Sequence, residues 1–572
     1  MKTLRQSLMD CDMAMVRAIA EMHGLELNSN RQEEAVAQLA EELLQAEEVA
    51  LTLESLSPTE REALRAIIAQ GGRIKAPLLL RQYGELRAFG PGRLEREKPW
   101  LEPANATEGL WYRGLIYKTF DEVEDYRGEF FFIPYDLLPL LPQAEKGPPS
   151  FPVERLSPPP VIRQGDLTLL EDVCTFLSFL QREAVKLLRE GYLPRPVIER
   201  LNEQFVVKED LTKIVHEAGT QRLAFLHHLC RQLRLVQVRG EWLKPNSAEA
   251  RTWLKSSPAD QMAVLQAAWR DDTRWNDLWH VPGLRCEDTG WRNDPLATRR
   301  RFLKHLSQCP PDQWLSLASF IQAIKENDPD FQRPDGDYHS WYICQADTGR
   351  YLSGFESWDQ VEGALITYLI AQPLHWLGVT SLGYQNEADA LPSSFLITRW
   401  GAAFLGLSSR KQERWSPQPI EVKPDFTVLV PARSLYYRFQ VERFADRQGS
   451  EGAYLYRITL DSLARLLREG IEVETVLGFL KQATAGRLPT NVAHTLRQWA
   501  QKYGQVRLRR VVLLQVKDPA ILQELQAAPQ TRPWVQEAIS PTTAIVAEKD
   551  WPRLIEALRK LGYLPHGEGL DN

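Results

Sequence analysis

The chain lacks the sequence motifs of the common nucleotide-dependent and hydrolytic enzymes. The dipeptide Gly-Lys does not occur among its 572 residues, so the phosphate-binding loop G-x-x-x-x-G-K-[ST] is absent. The motifs G-x-S-x-G, H-E-x-x-H and G-x-G-x-x-G are absent as well. We therefore predict a protein that is not an enzyme and that requires no cofactor.

The sequence also has little that would place it in a membrane or hold a metal. No apolar run approaches the roughly 18 residues of a membrane-spanning helix, and the N-terminus lacks the apolar segment of a signal peptide. The six cysteines show no C-x-x-C spacing, which is typical of reduced thiols in a cytoplasmic protein. His227 with Cys230, and His305 with Cys309, supply only part of a zinc ligand set, so we predict packed or surface residues there.

Charge is nearly balanced over the whole chain. The 69 basic and 75 acidic residues give a net charge of −6, which excludes a globally basic nucleic-acid coat but allows local basic patches. Hydrophobic residues make up 44% of the sequence, as expected for an ordinary globular protein. A chain of this length is expected to form several domains.

The predicted fold class is α+β and mainly helical, with tandem winged-helix-like modules followed by a C-terminal α/β domain. The first module rests on the capping box at Ser57–Glu60, on a third helix at Asn105–Arg113 and on a hairpin at 115–133. The order recurs after a long helix at 166–190, and a possible third copy ends near residue 400. The predicted domains are an N-terminal helical segment 1–56, a winged-helix-like domain 57–141, a Pro-rich linker 142–163, a second winged-helix-like domain 164–250, a Trp-rich helical region 251–415 and an α/β domain 416–572.

The C-terminal domain carries the most informative pattern. Val422–Val430 is rich in β-branched residues and predicts a strand, and Thr459 predicts the cap of a helix that ends near Gly470. The segments VKPDFTVLVP, YRITLDSLARLLREG, LPTNV and YGQVRL, in this order, resemble the N-terminal domain of XPB-type DNA helicases. The resemblance covers about a quarter of the chain and implies a helicase-associated α/β domain without catalytic residues. The P-loop motor of those helicases has no counterpart here.

A basic segment within this domain is the main candidate for nucleic-acid binding. Residues 479–510 contain seven cations and no carboxylate: Lys481, Arg487, Arg497, Lys502, Arg507, Arg509 and Arg510. Contacts between such cations and phosphates release counterions, which supplies most non-specific affinity. A second candidate is Arg299, Arg300 and Arg301, with Lys304, at the start of a helix. The alternative for both is ordinary solvated charge that complements helix dipoles.

Two further features could carry chemistry. Asp328, Asp330, Asp335 and Asp337 lie in one loop and could hold Mg²⁺ or Ca²⁺, although Asp, Pro and Gly are equally the residues of a structured turn. Of the 17 tryptophans, 12 lie between residues 242 and 415. They could stack on single-stranded bases, but burial in a core is the simpler interpretation.

Together these observations predict a cytoplasmic protein that binds DNA without sequence specificity, holding it for a helicase or nuclease supplied by another chain. The alternative is a scaffold or regulator that contacts such a helicase only through protein surfaces. In TFIIH, a non-catalytic subunit combines winged helices with a domain that docks the XPB N-terminal domain, and this fold-level analogy motivates the alternative. Exposed cations grouped on one surface would favour the first, and an exposed apolar patch the second.

Overall fold

A computed structural model of the chain describes residues 2–123, 126–142, 151–212, 214–333, 336–409, 415–506 and 510–566. The fold is mixed α/β, and helical residues outnumber strand residues, as the predicted α+β class requires. The chain divides into two compact units. Unit 1 comprises Met1–Gln418, Val430–Arg443 and Gly452–Tyr454, and unit 2 comprises Pro419–Leu429, Phe444–Glu451 and Leu455–Asn572.

The N-terminal part of unit 1 contains eight helices and one antiparallel sheet in the order β1-β3-β2 among the described residues. The predicted capping box is confirmed, because the Ser57 hydroxyl accepts from the Glu60 amide at 3.2 Å and the Glu60 carboxylate accepts from the Ser57 amide at 2.7 Å. The elements are α1 (Leu4–Met9), α2 (Met13–Met22), α3 (Gln32–Leu43), α4 (Ala46–Ser55), α5 (Pro58–Ala69), β1 (Arg73–Lys75), α6 (Ala76–Tyr83), α7 (Pro91–Glu97), α8 (Ala106–Tyr112), β2 (Tyr117–Val123) and β3 (Tyr126–Phe132).

The rest of unit 1 adds a five-stranded sheet in the order β4-β10-β13-β12-β5 and two smaller sheets, β9-β11 and β6-β8-β7. The elements are β4 (Arg155–Leu156), β5 (Val161–Arg163), α9 (Thr168–Arg182), β6 (Val185–Lys186), α10 (Arg195–Gln204), α11 (Arg222–Gln232), β7 (Val236–Arg239), β8 (Trp242–Pro245), α12 (Ser247–Lys255), α13 (Pro258–Arg270), β9 (Leu284–Cys286), α14 (Pro295–Leu306), β10 (Trp314–Ser316), α15 (Leu317–Asn327), β11 (Ile343–Gln345), α16 (Ala364–Ala371), α17 (Pro373–Trp376), β12 (Thr380–Tyr384), β13 (Ser394–Ile397), α18 (Arg399–Phe404) and, in the separate segment, α19 (Leu435–Val441).

Tertiary pairing changes two expectations in this region. The long helix predicted at 166–190 ends at Arg182, because Val185 instead pairs with Leu243 of the β7–β8 hairpin. Residues 155–163, within or beside the predicted Pro-rich linker, contribute the two edge strands of the five-stranded sheet. Proline is tolerated on edge strands, where an amide donor is not required on the outer side.

Unit 2 holds most of a four-stranded sheet in the order β14-β15-β17-β16 and all of a three-stranded sheet in the order β18-β20-β19. The predicted cap at Thr459 is confirmed, since its hydroxyl accepts from the Ser462 amide at 3.1 Å. The elements are β14 (Glu421–Val422), β15 (Thr427–Pro431), β16 (Asp446–Glu451), β17 (Ala453–Arg457), α20 (Leu460–Arg468), α21 (Val473–Ala483), α22 (Thr490–Lys502), β18 (Val511–Gln515), α23 (Pro519–Ala527), β19 (Val535–Ser540), β20 (Thr543–Ala547) and α24 (Trp551–Lys560).

Each unit buries apolar side chains of its own. The main cluster of unit 1 includes Trp269, Trp275 and Trp358, so much of the Trp-rich region lies in the core, as the simpler interpretation expected. In unit 2, α23 and α24 cover one face of the β18-β20-β19 sheet through Leu522, Leu554 and their neighbours. All six cysteines are free. No helix in the described part of the chain is long and apolar enough to cross a membrane.

Candidate nucleic-acid interface

The cations of the acid-free segment lie on α21, on α22 and on the loops around them. Lys481, Arg487 and Lys502 are exposed, and none of the three has a carboxylate within salt-bridge distance among the described residues. Lys481 and Lys502 lie in the last turns of their helices, where a cation complements the helix dipole. No carboxylate in the described part of the chain neutralises the positive charge of these three side chains.

Two further cations of this segment are paired at the surface. The Arg497 guanidinium donates to both oxygens of Glu474, at 2.7 and 3.1 Å, and Arg510 lies 3.3 Å from a carboxylate oxygen of Glu548. All four side chains are more than half exposed. Surface ion pairs contribute little to stability, so these arginines can exchange their carboxylate for another anion. Arg507 and Arg509, which were also predicted to bind nucleic acid, lie outside the described residues.

A turn between β14 and β15 is a feature that the sequence reasoning missed. The strand predicted over Val422–Val430 is interrupted, because residues 423–426 form a tight turn and Val422 pairs with Val428. The Asp425 carboxylate accepts from the Thr427 amide at 3.1 Å, and this hydrogen bond lowers the pKa of Asp425. The dipeptide Pro-Asp therefore marks a turn here.

Phe426 occupies an unusual backbone conformation at the end of this turn. Its φ is +70°, which is rare for a bulky residue. Its amide donates to the Lys423 carbonyl at 3.1 Å, and its carbonyl accepts from the Ile458 amide at 3.0 Å. These bonds hold the aromatic ring over α22, where it stacks on Trp499 with ring centroids 5.2 Å apart and planes 25° from parallel.

Three exposed cations lie close in the chain to the residues that form or hold this aromatic stack. Lys423 belongs to the turn, Arg457 precedes the residue that bonds to the Phe426 carbonyl, and Lys502 follows Trp499 by three positions on α22. All three cations are exposed, whereas the two rings are half-buried. Residues at i and i+3 share one helix face, so Lys502 lies on the side of α22 that carries Trp499.

The second predicted basic patch is corrected by the fold. Arg299 is fully buried and donates to Asp277 at 2.6 Å, to the Trp269 carbonyl at 3.0 Å and to two further backbone carbonyls. Its guanidinium is therefore occupied inside the protein and is not available to a phosphate. Of the three arginines, only Arg300 is exposed.

Arg301 and the acid-rich loop neutralise each other. The Arg301 guanidinium donates to both oxygens of Asp328 and, at 2.8 Å, to the Asp330 carbonyl. Asp328 also accepts from His305 at 2.9 Å and lies 3.5 Å from the Lys75 ammonium. Burial raises the pKa of Asp328, but the hydrogen bond from His305 and the two neighbouring cations outweigh it and hold the pKa well below its usual range.

The other acids of this loop are also used internally. Asp330 is buried and accepts from Arg81 at 3.3 Å and from the Tyr338 hydroxyl at 2.6 Å. The Asp337 carboxylate accepts from the backbone amides of His339 and Ser340. Asp335 lies outside the described residues. Within the described ranges, no three His, Cys, Asp or Glu side chains are grouped to hold a metal ion.

The tryptophans and histidines singled out in the sequence are mostly packed. Trp314 is buried on β10, whereas Trp279 is 41% exposed and stacks on Trp291 at 5.9 Å. His227 is buried, and its ring nitrogen is hydrogen-bonded to the Glu217 carboxylate at 2.5 Å, so it is packed inside unit 1 as predicted. The aromatic surface in unit 1 thus consists of a few rings at the edge of its core.

The structure therefore defines a mixed α/β protein in which Lys481, Arg487 and Lys502 are exposed on or beside α21 and α22 of unit 2. Comparison with known proteins identifies the same part of the chain: residues 420–540 match the family model described as helicase conserved C-terminal domain. The match covers less than half of the chain and supports a helicase-associated C-terminal region. No curated protein matches the chain.

Proposed function

We propose that this protein is a non-catalytic, helicase-associated protein that binds DNA through unit 2 and holds it for a motor or nuclease on another chain. The observation that carries the proposal is the presence of three exposed cations, Lys481, Arg487 and Lys502, that have no carboxylate partner among the described residues and lie inside the segment that matches the helicase family. Unpaired cations attract the phosphate backbone without regard to sequence. The resemblance of this segment to the XPB N-terminal domain supports the same role.

The helix–hairpin regions of unit 1 are proposed to be winged-helix modules with a structural role. The order α5, β1, α6, α8, β2, β3 matches the order of that motif. The helix in the groove-reading position, α8, buries six of its seven residues, and the equivalent α11 buries eight of eleven. Buried helices cannot enter a DNA groove, which is why we assign DNA binding to unit 2.

A second candidate function, a scaffold that contacts a helicase only through protein surfaces, rests on a different observation. The face of the β18-β20-β19 sheet opposite α23 and α24 exposes Leu513 at 51% and Ile539 at 60%. Exposed apolar residues on one sheet face are typical of protein interfaces. The two functions are compatible, because this face and the α21–α22 cations belong to different parts of unit 2.

The test is binding of the full chain to fluorescent single-stranded, duplex and forked DNA across a salt series. We expect the variant Lys481→Glu/Arg487→Glu/Lys502→Glu to weaken binding and to reduce the slope of log K against log salt by about 1 for each phosphate that the variant no longer neutralises. The matched control is Lys517→Glu/Arg532→Glu/Lys549→Glu, which makes the same charge change at exposed positions outside α21–α22. Absence of binding at about 50 mM salt would refute the DNA-binding role and favour the scaffold.

A further inference from the structure

The backbone at Phe426 holds an aromatic ring where a smaller residue would fit with less strain. Among the described residues, five other than glycine have a positive φ, and Phe426 is the only aromatic one. Glycine takes this conformation freely, whereas a bulky side chain there is strained. Such strain persists where surrounding bonds impose it and is concentrated at functional sites.

Two side chains of α22 tie the turn and its ring to this helix. Asn491 in the first turn of α22 donates to the Pro424 carbonyl at 2.8 Å, which ties the turn to the helix. Trp499, two turns further along α22, stacks under Phe426. Because both rings are only half-buried, part of their aromatic surface is open to solvent. The arrangement presents a rigid aromatic surface with little conformational entropy to lose on binding.

The charge around the stack indicates what it binds. Lys423 lies three positions before Phe426, Lys502 lies three positions after Trp499, and Arg457 is next to Ile458, whose amide bonds to the Phe426 carbonyl; all three cations are exposed. Asp425, next to Phe426, is bonded to a backbone amide and lies within the electrostatic range of Arg457. An aromatic surface among cations suits a polyanion that also carries planar rings. Bases in a duplex already stack on one another, whereas bases of a single strand can stack on protein side chains.

We propose that the Phe426–Trp499 stack is a base-stacking site for single-stranded nucleic acid, with Lys423, Arg457 and Lys502 contacting the phosphates beside the stacked base. This inference rests on the proposed function and adds to it a substrate form, the unpaired strand. The ligand chemistry is shared by DNA and RNA, so the test includes both a thymidine and a uridine oligonucleotide.

The decisive variant is Phe426→Gly, which removes the ring and relieves the backbone at φ +70°. It should therefore still fold, because the relief of backbone strain offsets part of the lost contact with Trp499, and thermal melting checks this. We expect affinity for single strands to fall by about 5- to 150-fold, the range for one stacked base. Affinity for duplex and the salt slope should stay unchanged, since no charge is altered.

Two more variants keep the experiment decisive. Trp499→Leu should produce the same selective loss of single-strand affinity. The control is Phe479→Leu, which removes a half-buried ring of α21 that contacts Phe444, and it should leave that affinity unchanged. If duplex binds as tightly as single strands, or if Phe426→Gly changes single-strand affinity by less than twofold, the stacking site is refuted while the proposed function stands. If no oligonucleotide binds, the proposed function and this inference both fall.

Discussion

Replacement of Arg299 by methionine tests whether this residue supports the fold. The change keeps an apolar side chain of similar length and removes the guanidinium, which leaves the Asp277 carboxylate buried without its cation. It also leaves the carbonyls of Trp269, Asp272 and Trp275 without the donor they share. The damage is therefore electrostatic, because little packing volume is removed.

Breaking a buried ion pair by removal of one partner costs about 3–5 kcal/mol. The buried carbonyls add to this, since each loses a hydrogen bond that water cannot replace. A loss of this size is a large part of a typical free energy of unfolding, which is about 5–15 kcal/mol. The neighbouring Arg300→Met, at an exposed position, should change stability by less than about 0.5 kcal/mol.

The assay is urea unfolding followed by tryptophan fluorescence, because the Arg299 guanidinium lies 5.3 Å from the Trp269 ring. Adding Asp277→Asn should recover part of the loss, since it removes the unpaired charge. Burial raises the pKa of Asp277 and Arg299 opposes this. In Arg299→Met no cation opposes the raised pKa of Asp277. The loss of stability of Arg299→Met relative to the parent should therefore shrink as the pH falls and this carboxyl is protonated. A variant within about 1 kcal/mol of the parent at neutral pH would refute the reasoning.

Three further predictions concern other parts of the fold. Burial raises the pKa of Asp272, but the hydrogen bond from His228 prevails and lowers the pKa to about 2. The stability that this lowered pKa contributes should be complete above about pH 4 and lost as the pH falls toward 2. Asp272→Asn should remove this pH dependence, which acid titrations of unfolding measure. Gly478→Ala should stabilise the protein by about 0.5–1 kcal/mol, because Gly478 lies in an exposed stretch of α21 with open space for a Cβ. Gly401→Ala should instead lower the melting temperature, because its Cβ would meet a backbone carbonyl at 2.3 Å. Asp328→Asn should destabilise unit 1 by about 3 kcal/mol because Arg301 and Lys75 lose the carboxylate that they share. Isothermal titration with Mg²⁺ should show no difference in heat between this variant and the parent.

Features decided within a few residues could be predicted from the sequence. The capping box at Ser57 and the cap at Thr459 follow from side chains that bond to amides three positions away. The acid-free character of 479–510 is likewise a property of composition. The length of α9 could not be predicted, because its end depends on Val185 pairing with a strand more than fifty residues away.

Burial and long-range partners could be decided only by the tertiary structure. Arg299 and Arg300 are adjacent and chemically identical, yet one is buried at an aspartate and the other is exposed, since successive residues on a helix point 100° apart. The basic patch at 299–301 and the acid-rich loop each resembled a separate ligand site until the fold placed Arg301 on Asp328. The stack of Phe426 on Trp499 joins residues 73 positions apart. A sequence specifies which charges and rings exist, and because internal partners satisfy many of them, only the folded chain decides which are left for a ligand.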